Sequence, residues 1–229
     1  MTTIRYKERF NKNHFEHAAW AENKLICGID EVGRGCLAGP VVVSAVILHP
    51  GKKHQLLKDS KIMTQEEREK AYSWIIKNSW HVTASLHHRA IDTHNIYQAT
   101  LRAIRRAFMQ LMTHGCPQPS KIVIDAMPLK LENTAFSDIN VFYFPFGEKK
   151  STSIAAASIV AKVTRDRLMM HFDAAIPGYF LAAHKGYATP KHRILLQNLG
   201  HSVIHRINFL QGAWLHSKKS DLDEQQKLF

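Results

Sequence analysis

The feature that most constrains this chain is a pair of adjacent carboxylates at the end of a short apolar segment. Asp30 and Glu31 close the segment at residues 25–31, and the following loop places glycines at positions 33 and 35 around Arg34. Carboxylates at a strand end can hold divalent metals, which prefer oxygen ligands. Glycines let backbone amides approach a phosphate closely. The pattern indicates a charged site at a strand end, although an isolated Asp-Glu pair is also typical of a solvated turn before a hairpin.

Two further strand-like segments lead to acids. Residues 121–125 form a short buried-type run that ends in Asp125, and the run at residues 140–146 is followed by Glu148. Open α/β sheets place their sites at the carboxyl ends of neighbouring strands. Hydrolysis of a phosphodiester by two divalent ions needs several oxygen ligands that hold the ions about 3.5–4 Å apart. These two acids, together with Asp30 and Glu31, are the candidate ligands for such a pair of ions.

The other predicted elements alternate between strand and helix. Strands are predicted at residues 40–48 and 80–86 from their β-branched content. A capping box at residues 64–67 begins a helix in which we expect Tyr72, Ile75 and Ile76 to be buried. Further helices are predicted over residues 95–114, 153–172 and 190–199, the last stopped by Gly200. Residues 1–23 carry basic and aromatic residues without a clear period and form either an amphipathic lead-in helix or a loose basic arm.

The charge of the chain favours an anionic partner. Its 229 residues fit one domain better than two, and 31 Lys and Arg residues against 19 Asp and Glu residues give a formal net charge of +12. Nucleic acid is the first candidate partner and an anionic membrane the second. No run approaches the roughly 18 apolar residues of a membrane span. The N-terminus has no signal-peptide core, and the three cysteines lack a Cys-x-x-Cys arrangement. We therefore expect a reduced cytoplasmic protein with no membrane partner.

Three arginines of the predicted helix at residues 95–114 have two interpretations. Arg102, Arg105 and Arg106 lie largely off the apolar stripe of this helix. They form a solvated face, which is the commoner use of such residues, or they contact phosphates. Both interpretations stay open at the level of the sequence.

The whole string at residues 28–42, Gly-Ile-Asp-Glu-Val-Gly-Arg-Gly-Cys-Leu-Ala-Gly-Pro-Val-Val, resembles the N-terminal signature of ribonuclease HII, the type 2 ribonuclease H family. Later segments resemble further motifs in order: Asp-Ser-Lys at 59–61, Asn-Ile at 95–96, Ile-Asp at 124–125, an alanine-rich stretch at 154–167, His-Lys-Gly-Tyr-Ala-Thr at 184–189 and His-Arg at 205–206. The resemblance implies an α/β ribonuclease H-like fold. Its mixed five-stranded central sheet, with three antiparallel strands leading and two parallel strands added, would be flanked by helices and followed by a C-terminal helical segment.

The resemblance also implies an activity. The family cleaves the RNA strand of RNA–DNA hybrids and cuts 5′ of ribonucleotides embedded in duplex DNA, leaving 3′-hydroxyl and 5′-phosphate ends. In the family, two divalent ions, Mg²⁺ or Mn²⁺, bind at four positions that correspond here to Asp30, Glu31, Asp125 and Glu148. We accordingly expect a monomeric endonuclease whose partners are RNA–DNA hybrid and ribonucleotide-containing duplex DNA.

Substrate recognition is expected from two further segments. In the family, the Gly-Arg-Gly loop and the tyrosine of the His-Lys-Gly-Tyr segment recognise the ribonucleotide at an RNA–DNA junction. Sensing the 2′-hydroxyl is what separates RNA from DNA. The corresponding residues are Gly33, Arg34, Gly35 and Tyr187. The other residues expected to bind phosphates or to brace the acids are Lys61, Asn95, Ser158, Lys162, Arg165 and Arg206. Asp166 is a candidate for a structural ion pair.

The chain departs from the family pattern at two positions. Glu148 stands where the family has aspartate, which keeps the charge and adds a methylene. A ligand displaced by about 1 Å can cost on the order of a hundredfold in rate, and Mg²⁺ tolerates distortion poorly. We therefore expect retained activity with a shift toward Mn²⁺. Ala126 replaces a more usual glycine, and we expect an ordinary backbone conformation there.

Two rival functions are compatible with these departures. The first is a catalytically impaired hybrid-binding protein, in which Glu148 is the lesion and the basic surface is intact. The second is a nuclease of the same fold that cuts DNA, and the Gly-Arg-Gly loop and Tyr187 argue against it. The 15 histidines lack a complete tetrahedral ligand set, so we interpret them as scattered polar residues rather than a zinc site.

The C-terminal residues predict an interaction of their own. The chain ends in Gln-Gln-Lys-Leu-Phe, which resembles the peptide by which bacterial replication proteins bind the sliding clamp, with Gln225, Leu228 and Phe229 as its anchors. A chance similarity at a frayed terminus is the alternative. The predicted division is a basic N-terminal extension at residues 1–23, a catalytic domain at 24–213 and a polar tail at 214–229.

Overall fold

A mixed sheet of six strands forms the centre of the protein. The computed structural model describes residues 3–6 and 11–210. The strands are β1 (Thr3–Arg5), β2 (Ile26–Val32), β3 (Val41–Leu48), β4 (Ser79–Leu86), β5 (Lys121–Asp125) and β6 (Asn140–Phe144). Their order in the sheet is β1-β6-β5-β2-β3-β4. Strands β2, β3 and β4 pair antiparallel, whereas β5 pairs parallel with both β2 and β6. The predicted fold class is confirmed, with three antiparallel strands leading and parallel strands added.

The sheet has one strand more than the five predicted. The additional strand, β1, pairs parallel with β6, and Thr3 lies opposite Val141. A strand of three residues is too short to show alternation, and its pairing depends on the unpaired backbone groups that the edge of β6 offers. The lead-in helix is also present as α1 (His14–Ala21). In its described part, the N-terminal segment is therefore paired and packed rather than a loose arm.

Helices cover both faces of the sheet. Besides α1, they are α2 (Gln65–Lys77), α3 (His88–Thr113), α4 (Gly147–Lys150), α5 (Thr152–Ala175), α6 (Leu181–His184) and α7 (Pro190–Leu199), with a 3-10 turn at Ser60–Ile62. The capping box of α2 is present, with the Thr64 hydroxyl accepting from the Glu67 amide. Ile75 is fully buried, but Ile76 is 37 % exposed and its predicted burial is wrong. Helix α7 has the predicted bounds.

The backbone of helix α5 packs directly against β2. A Cβ atom added to Gly28 would lie 2.1 Å from the backbone carbonyl carbon of Ser153. Ala156 and Ala157 are buried in the apolar cluster between α5 and α2. On the opposite face, α3 contributes Phe108 to the main core cluster. The alanine-rich start of α5 therefore permits the close approach that places this helix beneath the ends of β2 and β5.

Helix α1 is anchored by an aromatic ring and a buried acid. The ring of Phe15 stacks on Phe144 with centroids 5.6 Å apart. The buried carboxylate of Glu16 accepts hydrogen bonds from the Ser153 amide at 3.1 Å and from the hydroxyl of Ser151, the N-cap of α5. An acid at a helix N-terminus interacts favourably with the helix dipole. Local pattern does not indicate this role, because the segment lacks a clear period.

Within the described residues, no helix is long and apolar enough to cross a membrane. Cys27 and Cys36 are buried, Cys116 is partly exposed, and all three are free thiols.

Candidate active site

Four carboxylates meet at the edge of the sheet where β2 and β5 end. Asp30 is the fifth residue of β2 and is only 6 % exposed. Its Oδ1 accepts a hydrogen bond from the Glu31 amide at 2.8 Å. Asp125 ends β5, and its Oδ1 accepts from the Gly147 amide at 3.0 Å. Because β2 and β5 run parallel, their carboxyl ends share one edge. The structure brings together the acids that the strand pattern predicted.

The fourth acid comes from a short helix rather than from a strand. Strand β6 ends at Phe144, two residues earlier than predicted, and Glu148 lies in the first turn of α4. Its side chain is 3 % exposed, and its Oε1 accepts from the Lys61 ammonium at 3.3 Å. Lys61 itself is 76 % exposed at its side chain. An exposed lysine is therefore the cation that balances this buried acid.

The acids raise one another's proton affinity. Burial raises the pKa of Asp30 well above its usual range, and the neighbouring charges of Glu31 and Asp125 add to the effect. Burial also raises the pKa of Glu31 to about 7, although the Arg34 guanidinium, 3.2 Å from its Oε1, opposes the shift. The pKa of Asp125 is raised by burial, against the Gly147 amide and with help from Glu148. The site concentrates negative charge where water is scarce.

Two buried oxygens test whether the acids fit divalent ions. Oε2 of Glu31 and Oε2 of Glu148 are buried and have no hydrogen-bond partner among the described residues. Buried carboxylate oxygens normally accept hydrogen bonds, so these two unpaired oxygens are suited to bind an ion or a water molecule. In the described part of the chain, no three His, Cys, Asp or Glu side chains are already grouped as a metal cage. Mg²⁺ usually takes one or two carboxylates, several waters and the substrate phosphate. The acids fit that open kind of site.

Asp30, Glu31 and Asp125 line a cleft of about 590 Å³ whose other walls carry hydroxyl and basic groups. Its lining residues are Asp30, Glu31, Val32, Ser60, Lys61, Arg68, Asp125, Ser158, Lys162 and Tyr187. The Ser158 hydroxyl bonds the Asp30 carboxylate and lies 2.9 Å from the Ser60 hydroxyl. Lys162 pairs with Asp166 at 2.8 Å, so the predicted ion pair of Asp166 is confirmed. Four of the predicted substrate residues, Lys61, Ser158, Lys162 and Tyr187, therefore lie in the wall of the cleft.

The Gly-Arg-Gly loop is held from beneath by two buried arginines. Arg206 donates to the carbonyl oxygens of Gly33 at 2.6 Å and Arg34 at 2.8 Å. Arg165 donates to the carbonyls of Ala38 at 3.1 Å and Lys185 at 2.8 Å. Both arginines are 0 % exposed. This burial excludes the direct phosphate contact that the sequence allowed, so both residues brace the loops.

Gly33 is required by the same packing. Its φ is +88°, a backbone conformation that residues other than glycine rarely adopt. An added Cβ would also lie 2.2 Å from Nε of Arg165. Gly35 differs, because an added Cβ there would meet nothing within 4 Å. Packing therefore restricts position 33 to glycine, whereas it leaves open space at position 35.

Tyr187 lies between this loop and the basic wall of the cleft. It forms a backbone bridge with Cys36. The ammonium of Lys162 and the guanidinium of Arg165 each lie 5.7 Å from the centre of its ring. The side chain is 38 % exposed, so one face remains open to the cleft. An aromatic face held next to the acids can pack against a sugar or a base.

Comparison with known proteins decides the family. The family model described as Ribonuclease HII matches residues 27–211. A relative from Listeria monocytogenes serotype 4b (strain F2365), named Ribonuclease HII, is 45% identical over 196 residues, which are 84% of this chain and 71% of the relative. The chain belongs to the ribonuclease HII family. It is therefore a type 2 ribonuclease H, a hydrolase of the nuclease class.

Two solved structures share the ribonuclease HII fold with this chain. One is the PCNA:RNase HII complex from Archaeoglobus fulgidus, with a TM-score of 0.66 and 23% identity, covering 80% of this chain and 94% of that one. The other is Bst-RNase HIII in complex with Mn²⁺, with a TM-score of 0.61 and 19% identity, covering 86% and 71% of the two chains.

A histidine cluster near Tyr187 is the feature that the sequence missed. His184 and His192 stack with ring centroids 4.0 Å apart, and Nε2 of His192 lies 3.0 Å from Nε2 of His205. The prediction that the histidines are scattered is therefore wrong for these three. Their sequence separations follow no ligand motif, so only the fold brings them together. We name His184, His192 and His205 the histidine stack.

Hydrogen bonds to the backbone fix the protons of the histidine stack. The Ser202 amide donates to Nδ1 of His205 at 2.9 Å, so His205 carries its proton on Nε2 and donates it to His192. His192 then carries its own proton on Nδ1, which lies 2.8 Å from the carbonyl oxygen of Tyr187. In this ribonuclease HII, a chain of hydrogen bonds between neutral imidazoles therefore runs from His205 through His192 to the carbonyl of Tyr187, the tyrosine predicted to recognise the ribonucleotide.

Two backbone positions differ from expectation. Ala126 has a φ of +53°, so the predicted ordinary conformation is wrong, and the backbone after Asp125 does adopt the left-handed turn that glycine favours. Asn95 breaks α3 with a φ of 62° and a ψ of 164°, and its Oδ1 accepts from the Gln98 amide at 3.0 Å. This side chain caps the second part of α3 and does not line the cleft, so its predicted phosphate contact remains a prediction.

Proposed function

We propose that this ribonuclease HII hydrolyses the RNA strand of RNA–DNA hybrids and incises duplex DNA 5′ of embedded ribonucleotides, leaving 3′-hydroxyl and 5′-phosphate ends. The observation that carries the proposal is the set of four buried or partly buried acids at one sheet edge, of which Glu31 and Glu148 each have an oxygen without a partner among the described residues. Such oxygens are suited to bind divalent ions, which prefer oxygen ligands. The net charge of +12 complements a nucleic acid.

The four acids would hold two divalent ions, Mg²⁺ or Mn²⁺. Bound ions of this kind activate a water nucleophile and stabilise charge on the attacking and leaving oxygens. The Mn²⁺ bound to Bst-RNase HIII supports this choice of ions. Backbone amides orient Asp30 and Asp125 by fixing one oxygen of each. Lys61 would exchange its partner Glu148 for a substrate phosphate once an ion takes over that acid.

Recognition of the ribonucleotide would come from the loop and the tyrosine. Backbone amides of Gly33, Arg34 and Gly35 would contact the ribonucleotide from the loop that follows β2, and the partly exposed Tyr187 would contact it from the wall of the cleft. A 2′-hydroxyl both donates and accepts hydrogen bonds, so backbone groups held rigidly beside the sugar can distinguish it from hydrogen. The rigidity is supplied by Arg206 beneath the loop. This favours a ribonuclease over a nuclease of the same fold that cuts DNA.

The deciding experiment is cleavage of a labelled DNA duplex that carries one ribonucleotide. It is run in Mg²⁺ and in Mn²⁺, beside an all-DNA duplex, with the parent, Asp30→Asn and the matched control Asp138→Asn, which alters an exposed acid. We expect a single cut 5′ of the ribonucleotide that Asp30→Asn abolishes and Asp138→Asn retains. Binding without cutting in either metal would instead identify a catalytically impaired hybrid-binding protein, with Glu148 as its lesion.

We also propose that the C-terminal residues bind a sliding clamp. The predicted anchors Gln225, Leu228 and Phe229 lie outside the described residues, so the proposal depends on the sequence resemblance. The complex of the Archaeoglobus fulgidus ribonuclease HII with PCNA supports it. A pull-down with a bacterial clamp should lose binding when Leu228 and Phe229 are changed to alanine, and binding that survives the change would refute the proposal.

We retain three further expectations as proposals. The catalytic domain spans residues 24–213, between the N-terminal extension and the polar tail. The protein acts as a monomer, since one chain supplies all four acids of the site. Its location is the cytoplasm, which agrees with three free cysteines.

A further inference from the structure

A second concave surface lies beside the candidate active site, between α3 and the segment after β5. It is a groove of about 220 Å³. Its lining residues are Tyr97, Leu101, Arg102, Arg105, Pro128, Leu129 and Lys130, and we name it the α3 groove. The side chain of Leu101 packs on the main core cluster, to which the buried Leu129 belongs. The carbonyl of Leu129 accepts from the Thr3 hydroxyl at 2.8 Å. The walls of the groove are thus part of the folded core.

The cations of the α3 groove have no acidic partners. Arg102, Arg105 and Lys130 are exposed, and none forms a salt bridge within residues 3–6 and 11–210. Helix α3 contains one acid, Asp92, and its carboxylate is occupied by the backbone amides of residues 207 and 208. Glu132, the acid closest to Lys130 in the sequence, also forms no salt bridge in that part of the chain. Arg102, Arg105 and Lys130 therefore give the groove a positively charged rim, which complements a polyanion.

The groove also presents an aromatic face. Tyr97 is 44 % exposed, although its groove neighbours Leu101 and Leu129 are partly or fully buried. A large exposed aromatic beside unpaired arginines is the combination by which proteins bind single-stranded nucleic acid, because bases stack on the ring and phosphates contact the cations. A protein partner with an apolar helix would leave the three cations unsatisfied. The charges therefore favour a nucleic-acid strand as the occupant.

The groove is close to the acids. Pro128 follows Asp125 by three residues, and three residues of extended chain span at most about 10 Å. The chain between Asp125 and Pro128 turns at Ala126, whose φ is +53°. A strand that leaves the cleft can therefore reach the groove within a few nucleotides.

We propose that the α3 groove binds an unpaired nucleic-acid strand that continues from the duplex held in the cleft, with a base stacked on Tyr97 and phosphates on Arg102, Arg105 and Lys130. The proposal rests on the proposed function, because it extends the substrate of the same enzyme to junctions where duplex meets single strand. It also resolves the two interpretations of the arginines on α3: Arg102 and Arg105 contact phosphates, whereas Arg106 belongs to the solvated face.

The first test measures binding without cleavage. Affinity for a fluorescent thymidine oligonucleotide is followed by anisotropy at several salt concentrations, with the full chain and no divalent ion. Tyr97→Ala should weaken binding by at least about fivefold, the loss expected for one stacked base, and Tyr97→Phe should retain it. Arg102→Ala with Arg105→Ala should reduce the salt slope by about 1.4, or about 0.7 per lost phosphate contact. Arg106→Ala is the matched control and should leave the slope unchanged.

The second test uses cleavage. A ribonucleotide-containing duplex is compared with the same duplex bearing a single-stranded extension on one side or the other. One extension should lower KM for the parent enzyme and not for Tyr97→Ala, while all variants cut the blunt duplex equally. If the parent fails to cut the blunt duplex in both metals, the proposed function is wrong, and the anisotropy test still decides the groove. If Tyr97→Ala and the double arginine variant bind the oligonucleotide as Arg106→Ala does, the groove is not a strand-binding site.

Discussion

The histidine stack makes the folded protein sensitive to mild acid. Burial lowers the pKa of His192 and of His205 to about 4, and burial also lowers the pKa of His184. The unprotonated nitrogen of each histidine already accepts a hydrogen bond. The donor is the Gly186 amide for His184, the Ser202 amide for His205 and the N–H of His205 for His192. A further proton on the stack would therefore have to displace one of these donors. The charged groups near the stack are Asp173, Lys191 and His201. Of these only Asp173 favours the charged imidazole.

The sign and size of the effect follow from linkage. A histidine with a usual pKa of 6.5 in the unfolded chain and about 4 in the folded one binds fewer protons when folded. Its contribution to the free energy of unfolding is fully present above pH 6.5 and is lost as the pH falls toward 4. For one such histidine, the loss between pH 7 and pH 5 is about 2 kcal/mol. We count one proton only, because His192 and His205 share a hydrogen bond and their titrations interact.

The assay is urea unfolding at pH 7 and pH 5, followed by circular dichroism at constant ionic strength. His192→Gln keeps a donor for the Tyr187 carbonyl and an acceptor for His205 but cannot titrate. Its free energy of unfolding should therefore fall by about 2 kcal/mol less than that of the parent between the two pH values. The difference between proteins cancels the contribution of the buried acids, and His171→Gln, an exposed histidine of α5, is the control. Equal pH dependence in His192→Gln and the parent would refute the reasoning.

Three other substitutions test the packing and the ligand set. Gly28→Ala should lower the free energy of unfolding by about 3 kcal/mol or more, because its Cβ would overlap the backbone of α5; Gly35→Ala, with open space around it, should cost far less, and similar urea midpoints would contradict the packing argument. Arg206→Met should destabilise the fold by about 3–5 kcal/mol by leaving buried carbonyls unpaired; a loss under 1 kcal/mol in the same assay would be inconsistent with that role. Glu148→Asp should raise the ratio of Mg²⁺ to Mn²⁺ cleavage rates, and an unchanged ratio would remove Glu148 as the cause of a metal shift.

The acids of the site could be found in the sequence because each lies at or just after a run of local pattern. A strand can be predicted from its β-branched residues, and a carboxylate at its end can be identified without information on distant contacts. Once β2 and β5 are recognised as neighbouring parallel strands, Asp30 and Asp125 must share an edge. Helix α7 and the capping box of α2 were equally readable, since caps and stop signals act within a few residues.

The braces of the site were decided only by the tertiary structure. Arg206 bonds the carbonyl of Arg34, 172 residues away, and an arginine that binds a carbonyl looks in sequence like one that binds a phosphate. The histidine stack, the pairing of β1 and the φ of Ala126 likewise depend on contacts that local pattern does not encode. The sequence determined which chemistry this protein carries and on which strands. The fold determined which charges face the cleft and which are buried beneath it, because burial depends on the packing of distant segments.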